Sequence, residues 1–369
     1  MIFDSESVFE DNVITVLKQH GWKDGVLRYP TEQDLLDNWK GILYRNNNDI
    51  DRLGKYPLTD GEMAQIIEQI ETLRTPLALN SFVNGRTVSI TRDNKEDVAH
   101  FGKEISLYIY DRKEIAGGKS TYQIAQQPVY PAKNKMLNSR RGDLVLLING
   151  MPLIHIELKK SGIPVSQATN QIEKYTHEGV FTGLFRLVQI FVAMNPDDAV
   201  YFANPGVDKF NPSYYFHWAD YNNEPICGGQ NPGKDEWKLF IGGTSGTAGL
   251  LSIPMAHQLI GFYTIADSAD GCLKVLRSYQ YIAANAISDV VRKCDWEQRP
   301  TTPGRPGGYV WHTTGSGKTM TSFKSAQLIA DSHDADKVVF LMDRIELGTQ
   351  SLKEYRSFAD SETEVQGTE

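Results

Sequence analysis

One stretch near the middle of the chain, GDLVLLINGMPLIHIELKK from Gly142 to Lys160, constrains the fold most. It reads as two strands about an Asn149-Gly150 turn signal. The even positions, Leu144, Leu146, Ile148, Pro152, Ile154, Ile156 and Leu158, are all apolar, so that face points into a core. The odd positions hold Asp143, Val145, Leu147, Leu153, His155, Glu157 and Lys159. For both odd sets to share a face the loop must hold an odd number of residues, because a two-residue loop flips the parity. A three-residue loop, Asn149 to Met151, then pairs Ile148 with Pro152 and Asp143 with Glu157. Two carboxylates on one face repel unless something neutralises them. Either Lys159 does so, as a structural ion pair, or a hard divalent cation does, since Mg²⁺ takes carboxylate oxygens and keeps several waters.

The spacing of an Asp, thirteen residues, then Glu-Leu-Lys at the end of an apolar strand resembles the PD-(D/E)xK nuclease motif. Gly142 stands where the name-giving pattern has Pro. A helix-like stretch, SQATNQIEKYTHEG, follows and puts Gln171 and Tyr175 at i and i+4 on one face. On its own that is an ordinary amphipathic surface; after this hairpin it resembles the QxxxY element of RecB-like nucleases. The resemblance implies a catalytic set of Asp143, Glu157, Lys159, Gln171 and Tyr175, with Asp143 and Glu157 as Mg²⁺ ligands and Lys159 acting on the attacking water.

Composition narrows the partners. A formal net charge of −8 excludes a basic nucleic-acid coat, so any DNA site must be a local patch. Cys227, Cys272 and Cys294 are far apart and lack CxxC spacing, which suits a reducing cytoplasm better than a zinc site or disulfide framework. The start, MIFDSESVFEDN, lacks a signal-peptide profile, and no apolar run approaches 18 residues, so neither export nor a membrane is expected.

Along the chain, SESVFEDNVITVLKQHGW predicts a first helix capped by Ser5 or Asp4 and ending at Gly21. Its Glu6 and Glu10 are either solvated face residues or, by the nuclease resemblance, a further metal ligand, Glu10 being the candidate. Residues 31–76 have helical character, followed by strand-like runs RTVSITR, SLYIYD and STYQIAQQPVY, and after the hairpin by RLVQIFVAM and AVYFAN. The aromatic run YYFHWADYNN reads as packing. A polar, glycine-rich region from Asn222 to Gly249 reads as loop and linker. The expectation is an α/β chain with a nuclease domain over 1–240, a linker over 241–265 and a second unit over 266–369.

That second unit carries GGYVWHTTGSGKTMTSFKSAQLIA: an apolar strand over Tyr309 to Trp311, a Gly-rich turn, then a helix. This is the context a phosphate-binding loop requires. Thr314, Gly315, Ser316 and Gly317 would present backbone N–H groups, Lys318 would reach the β/γ-phosphates of ATP and Thr319 would meet Mg²⁺. His312 stands where the common pattern has Gly or Ala.

The string WHTTGSGKT resembles motif I of the superfamily 2 helicase branch that drives type I restriction enzymes. VLRSYQYIAANAI, with Arg277 and Gln280, looks like that superfamily's adenine-sensing glutamine element, and KVVFLMDRIELGTQ, read as a buried parallel strand before Asp343, Arg344, Leu347 and Gln350, resembles its motif Ia. The superfamily's Asp-Glu pair and second-lobe arginine finger have no place after these residues, so the expectation is a truncated piece that binds ATP without turning it over. Nuclease motif, then the start of a RecA-like lobe, resembles the N-terminal part of the restriction subunit of a type I restriction-modification enzyme. The resemblance implies double-stranded DNA as substrate, ATP-driven translocation, a methyltransferase–specificity complex as partner and a role against foreign DNA. Two other readings stay open: a nuclease–helicase fusion of repair or another defence system, and a non-catalytic DNA-binding module.

Overall fold

The computed structural model describes residues 2–115, 117–131, 140–207, 209–293, 307–359 and 365–367; Cys294 lies outside them. Ser5 caps α1 (Glu6–Gln19) by accepting the Val8 N–H at 3.3 Å, as its position before an acidic first turn predicts. After β1 (Val26–Arg28), α2 (Glu32–Asn46) and α3 (Asp60–Thr72) each open with a reciprocal capping box, Thr31 with Asp34 and Thr59 with Glu62. Next come α4 (Pro76–Asn84) and a separate two-stranded hairpin of β2 (Thr87–Thr91) and β3 (Glu104–Tyr108). Then β4 (Tyr122–Gln126), β5 (Leu144–Ile148), β6 (Met151–Leu158), α5 (Val165–Glu178), β7 (Ile190–Met194) and β8 (Ala199–Ala203) complete the central region.

The result is a mixed α/β fold around a six-stranded mixed sheet of order β1-β4-β5-β6-β7-β8. The β1/β4 and β6/β7 pairs are parallel and the remaining three antiparallel. β5 and β6 are buried along their whole length, because helices cover both faces. That explains why their odd positions, Val145 and Leu147 among them, are as apolar as their even ones. On the odd face α5 lays Ala168 and Ile172 against Phe191, Ala193, Val200 and Phe202. The larger cluster collects Phe9, Val13 and Leu17 of α1 with the even residues of the hairpin.

The hairpin register corrects the expected loop. Asn149 and Gly150, at φ +53° and +84°, form a two-residue turn, and Ile148 pairs with Met151 rather than Pro152. Parity is restored by a bulge: Leu147 faces Pro152, Leu146 faces Ile154, and Leu144 faces Ile156. Leu153 is the extra residue, so Asp143 still stands across from Glu157.

The glycine-rich region expected as linker is packed structure. It contains α6 (Glu236–Gly242) and α7 (Met255–Gly261), followed by β9 (Thr264–Asp267) and β10 (Cys272–Val275). Leu250, Leu251, Leu259 and Ile260 are all fully buried in the main core. Gly249 serves close approach rather than freedom: a Cβ there would run into the backbone of Ile241.

α8 (Ser278–Lys293), α9 (Lys318–Asp331) and α10 (Ile345–Phe358) follow, with α8 against α9. Phe323 of α9 and Tyr355 and Phe358 of α10 join the same core as the central sheet. The expected strands over Tyr309 to Trp311 and Val338 to Met342 form no strand, with Trp311 87% and Leu341 95% exposed. A strand is stabilised by its neighbours, and among the described residues none lies beside either segment.

The turn yields a prediction. A Cβ at Gly150 would stand 2.8 Å from the Trp39 Cα in α2, in addition to the cost of a positive φ. Gly150→Ala should therefore destabilise by roughly 2–4 kcal/mol in urea unfolding. Gly162→Ala, at φ +80° with open space around it, should cost only about 1 kcal/mol.

Candidate active site and nucleotide loop

Asp143 enters β5 from the bulge-set register, and its Oδ2 accepts the Leu158 N–H of β6 at 2.6 Å. That bond fixes one of its two oxygens. Glu157 is fully buried, and neither of its carboxylate oxygens has a hydrogen-bond partner. Lys159 approaches without closing the pair. Its Nζ donates to the Leu158 carbonyl at 2.8 Å and stays 3.6 Å from Glu157 Oε1 and 3.7 Å from Glu6 Oε1. The structural ion pair therefore leaves the Glu157 carboxylate unsatisfied, which costs free energy in a dry sheet. Burial, with repulsion from Glu157, pushes Asp143 up; burial pushes Glu157 up to about 8 despite Lys159.

The first helix contributes both of its acids. Glu6 reaches Lys159 from the surface. Glu10 is buried rather than solvated, its Oε1 accepting from Gln126 Nε2 at 2.6 Å and its Oε2 from Gln127 Nε2 at 3.2 Å. Burial, and then repulsion from Asp143, raises its pKa. Gln171 and Tyr175 join through α5: Gln171 Nε2 donates to Tyr175 Oη at 2.7 Å, which donates to the Arg141 carbonyl at 2.9 Å. The structure thus gathers Asp143, Glu157, Lys159, Gln171, Tyr175 and Glu10 about one end of the β5–β6 pair.

Among the described residues no three carboxylate, imidazole or thiol side chains converge closely enough to hold an ion by themselves. Two carboxylates, one of them orphaned in a buried setting, suit a cation that keeps most of its water. That is the habit of Mg²⁺. Sequence reasoning missed Gln126 and Gln127. Their signal was two adjacent amides ending an apolar strand beside the motif.

At the second site, Gly315 and Gly317 hold φ of +78° and +80°, and α9 begins at Lys318, so its N-terminus faces the turn. Lys318 and the Thr314 and Gly315 backbone are exposed, while Ser316 and Thr319 are half-buried. Gln280 lies on α8 against this turn. Its Nε2 donates to the carbonyls of Ser316 at 3.4 Å and Gly317 at 3.3 Å, and its Oε1 accepts the Arg277 N–H at 2.9 Å. A Cβ on Gly317 would collide with the Gln280 amide, which explains a glycine there. His312, the departure from the common pattern, sits 3.1 Å from Ser316 Oγ through Nδ1 and braces the turn from within. Tyr279 Oη adds a second donor to the Ser316 carbonyl at 2.9 Å.

The electrostatics predict a pH signature. An acid whose folded pKa is raised stabilises the fold below its unfolded value of about 4.3, and loses that contribution as pH rises through the folded value. With chelator present, stability should fall between pH 5 and about 8.5. In Glu157→Gln, thermal unfolding should lack that component, on the order of 2–4 kcal/mol. Identical pH profiles for the two proteins would contradict a protonated Glu157.

Comparison with known proteins points to one family. Residues 4–210 match the family model of the type I restriction enzyme R protein N terminus, and residues 279–369 that of the SWI2/SNF2 ATPase. The chain is similar to the type I restriction enzyme SsaAORF53P endonuclease subunit of Staphylococcus saprophyticus, 31% identical over 97% of this chain and 34% of that protein. It is 32% identical, over the same shares, to the SauCOLORF180P endonuclease subunit of Staphylococcus aureus. The EcoprrI endonuclease subunit of Escherichia coli is 26% identical over 85% of this chain and 99% of that sequence. The chain spans about a third of the length of the staphylococcal relatives. No helix among the described residues is long and apolar enough to cross a membrane. These matches place the chain in the family of type I restriction enzyme R (endonuclease) subunits, of which it covers the N-terminal region.

Proposed function

We propose that this chain carries the Mg²⁺-dependent nuclease site and the nucleotide-binding loop of a type I restriction subunit, cleaving double-stranded DNA as part of defence against foreign DNA. The observation that carries the reading is the Glu157 carboxylate, buried without a hydrogen-bond partner across the sheet from Asp143. Asp143 and Glu157 hold the cation. The Leu158 N–H fixes the Asp143 oxygen that is not needed for it. When bound, the metal lowers the pKa of a coordinated water and offsets charge on the phosphate. Lys159, about as close to Glu157 as an ion pair requires yet bonded to neither carboxylate, is placed to orient that water or to face the phosphate. Gln171 and Tyr175 tie α5 to the Arg141 carbonyl and so set the backbone just before Asp143.

The second site binds ATP through the 314–319 backbone, Lys318 and Thr319, with Gln280 beside it. In the complete subunit, assembled with methyltransferase and specificity subunits, ATP-driven movement along DNA would control when the nuclease cuts. Residues 1–369 alone are expected to bind nucleotide without sustained turnover.

Two tests separate these functions. Asp143→Ala in the full-length assembled enzyme should lower cleavage of circular, site-bearing DNA by about 10³-fold or more while leaving ATP hydrolysis in place. Undiminished cutting would remove the nuclease assignment. Lys318→Ala should abolish ATP-dependent cleavage while leaving Mn²⁺ binding at Asp143 and Glu157 unchanged. Equal cutting with and without ATP would contradict the coupling.

A further inference from the structure

His155 is the one polar residue on the odd face of the hairpin to which the reaction above gives no task. It is fully buried in β6 among the rings of Phe181, Phe191 and Tyr175, at centroid distances of 5.4, 6.0 and 6.4 Å. A purely structural strand position in such surroundings suits Val, Ile or Phe, since an imidazole costs free energy there unless its nitrogens are paired. Both nitrogens face polar atoms. Nδ1 lies 2.9 Å from the buried Tyr130 Oη, and Nε2 lies 3.3 Å from Glu157 Oε2. Neither that Nε2 nor either Glu157 oxygen makes a hydrogen bond, the 3.3 Å approach between them included.

Proton placement along this row follows from the donors present. A neutral imidazole has one N–H and one lone pair. If Nδ1 carried the proton, it would donate to Tyr130, the tyrosine hydroxyl proton would be left without an acceptor, and the Nε2 lone pair would oppose the carboxylate. If Tyr130 Oη donates to Nδ1, the proton sits on Nε2 and points at Glu157 Oε2. Only the second arrangement gives the tyrosine proton an acceptor and aims the imidazole N–H at the carboxylate.

We infer that Tyr130 and His155 form a buried brace that holds Glu157 Oε2 through an Nε2–H and leaves Oε1, on the Lys159 side, free for the divalent cation. This rests on the nuclease reading and names two positioning residues within it. The same brace accounts for Gly142. A Cβ at that position would stand 2.5 Å from Tyr130 Oη and 2.9 Å from His155 Cε1. Where the name-giving motif has proline, this chain has given the space to the tyrosine–histidine contact. Such outer partners orient ligating side chains and commonly change metal affinity tenfold to a hundredfold when removed.

The test uses the whole 369-residue chain with Mn²⁺ as probe. Tyr130→Phe keeps the ring packed against Phe185 and removes only the hydroxyl. It should weaken Mn²⁺ binding by calorimetry about tenfold or more, with the chain still folded in chelator and its thermal midpoint lowered by only about 2–6 °C. Nitrogen-15 spectra of the wild-type chain at saturating Mg²⁺, where Glu157 is ionised, with the His155 signal assigned through its loss in His155→Gln, should show protonated Nε2 and bare, hydrogen-bonded Nδ1. In Tyr130→Phe the two tautomers should mix. Wild-type affinity in Tyr130→Phe, or a proton on Nδ1 in the wild type, would overturn the brace. No Mn²⁺ binding by the wild type would instead remove the nuclease reading on which the brace depends. The wild-type tautomer needs no variant, so an unfolded substitution does not rescue the idea.

Discussion

The repulsion of two carboxylates inside a dry sheet is the constraint from which most of the central region follows. Asp143 and Glu157 come together because β5 and β6 pair in one register, and that register is produced by a two-residue turn corrected by the Leu153 bulge. Removing the bulge would send Glu157 and Lys159 to the α1 side of the sheet and replace them with Ile156 and Leu158. The surroundings then deal with the charge. The Leu158 N–H takes one Asp143 oxygen, two glutamine amides take Glu10, and Lys159 stays within reach of both Glu157 and Glu6. Yet Glu157 remains unpaired. A fold stabilised chiefly by apolar burial would replace such a group by an aliphatic side chain, so its retention points to chemistry.

The nucleotide loop is not a separate appendage. Tyr201 of the sheet's edge strand donates to the Leu276 carbonyl at 2.9 Å, and the Arg277 guanidinium lies 4.5 Å over the Phe216 ring. Arg277 also donates to Tyr279 Oη at 3.1 Å, and that hydroxyl holds the Ser316 carbonyl in the turn. Packed rings and hydrogen bonds therefore run from β8 to the phosphate loop. Continuity of this kind permits coupling; it demonstrates none until both sites are shown to bias a common element.

Much of this was legible in the residues. The alternation of 142–160, the i,i+4 relation of Gln171 and Tyr175, and the Gly-Ser-Gly-Lys-Thr turn before a helix each report a local period or a local φ requirement. Local signals are what a sequence states most directly. The exact loop was not legible, because a turn plus a bulge gives the same facing pair as a three-residue loop. The glycine-rich stretch before 250 looked like a linker because composition reports freedom of the unfolded chain. In the fold Gly249 permits close backbone approach beside buried leucines. The brace of Tyr130 on His155 joins residues 25 apart through a hydroxyl contact, which no periodicity encodes. Strands at 309–311 and 338–342 were read from apolar content, which gives the tendency; pairing is decided by neighbours.

The central claim is that Asp143 and Glu157 share a divalent cation. The most direct measurement is anomalous diffraction from crystals of this chain grown with Mn²⁺. The account predicts one strong peak roughly 2 Å from an oxygen of each carboxylate, on the side of Lys159, with water completing the shell. A difference map in which Lys159 closes onto both carboxylates, with no anomalous peak between them, would contradict it and return the cluster to a structural ion pair.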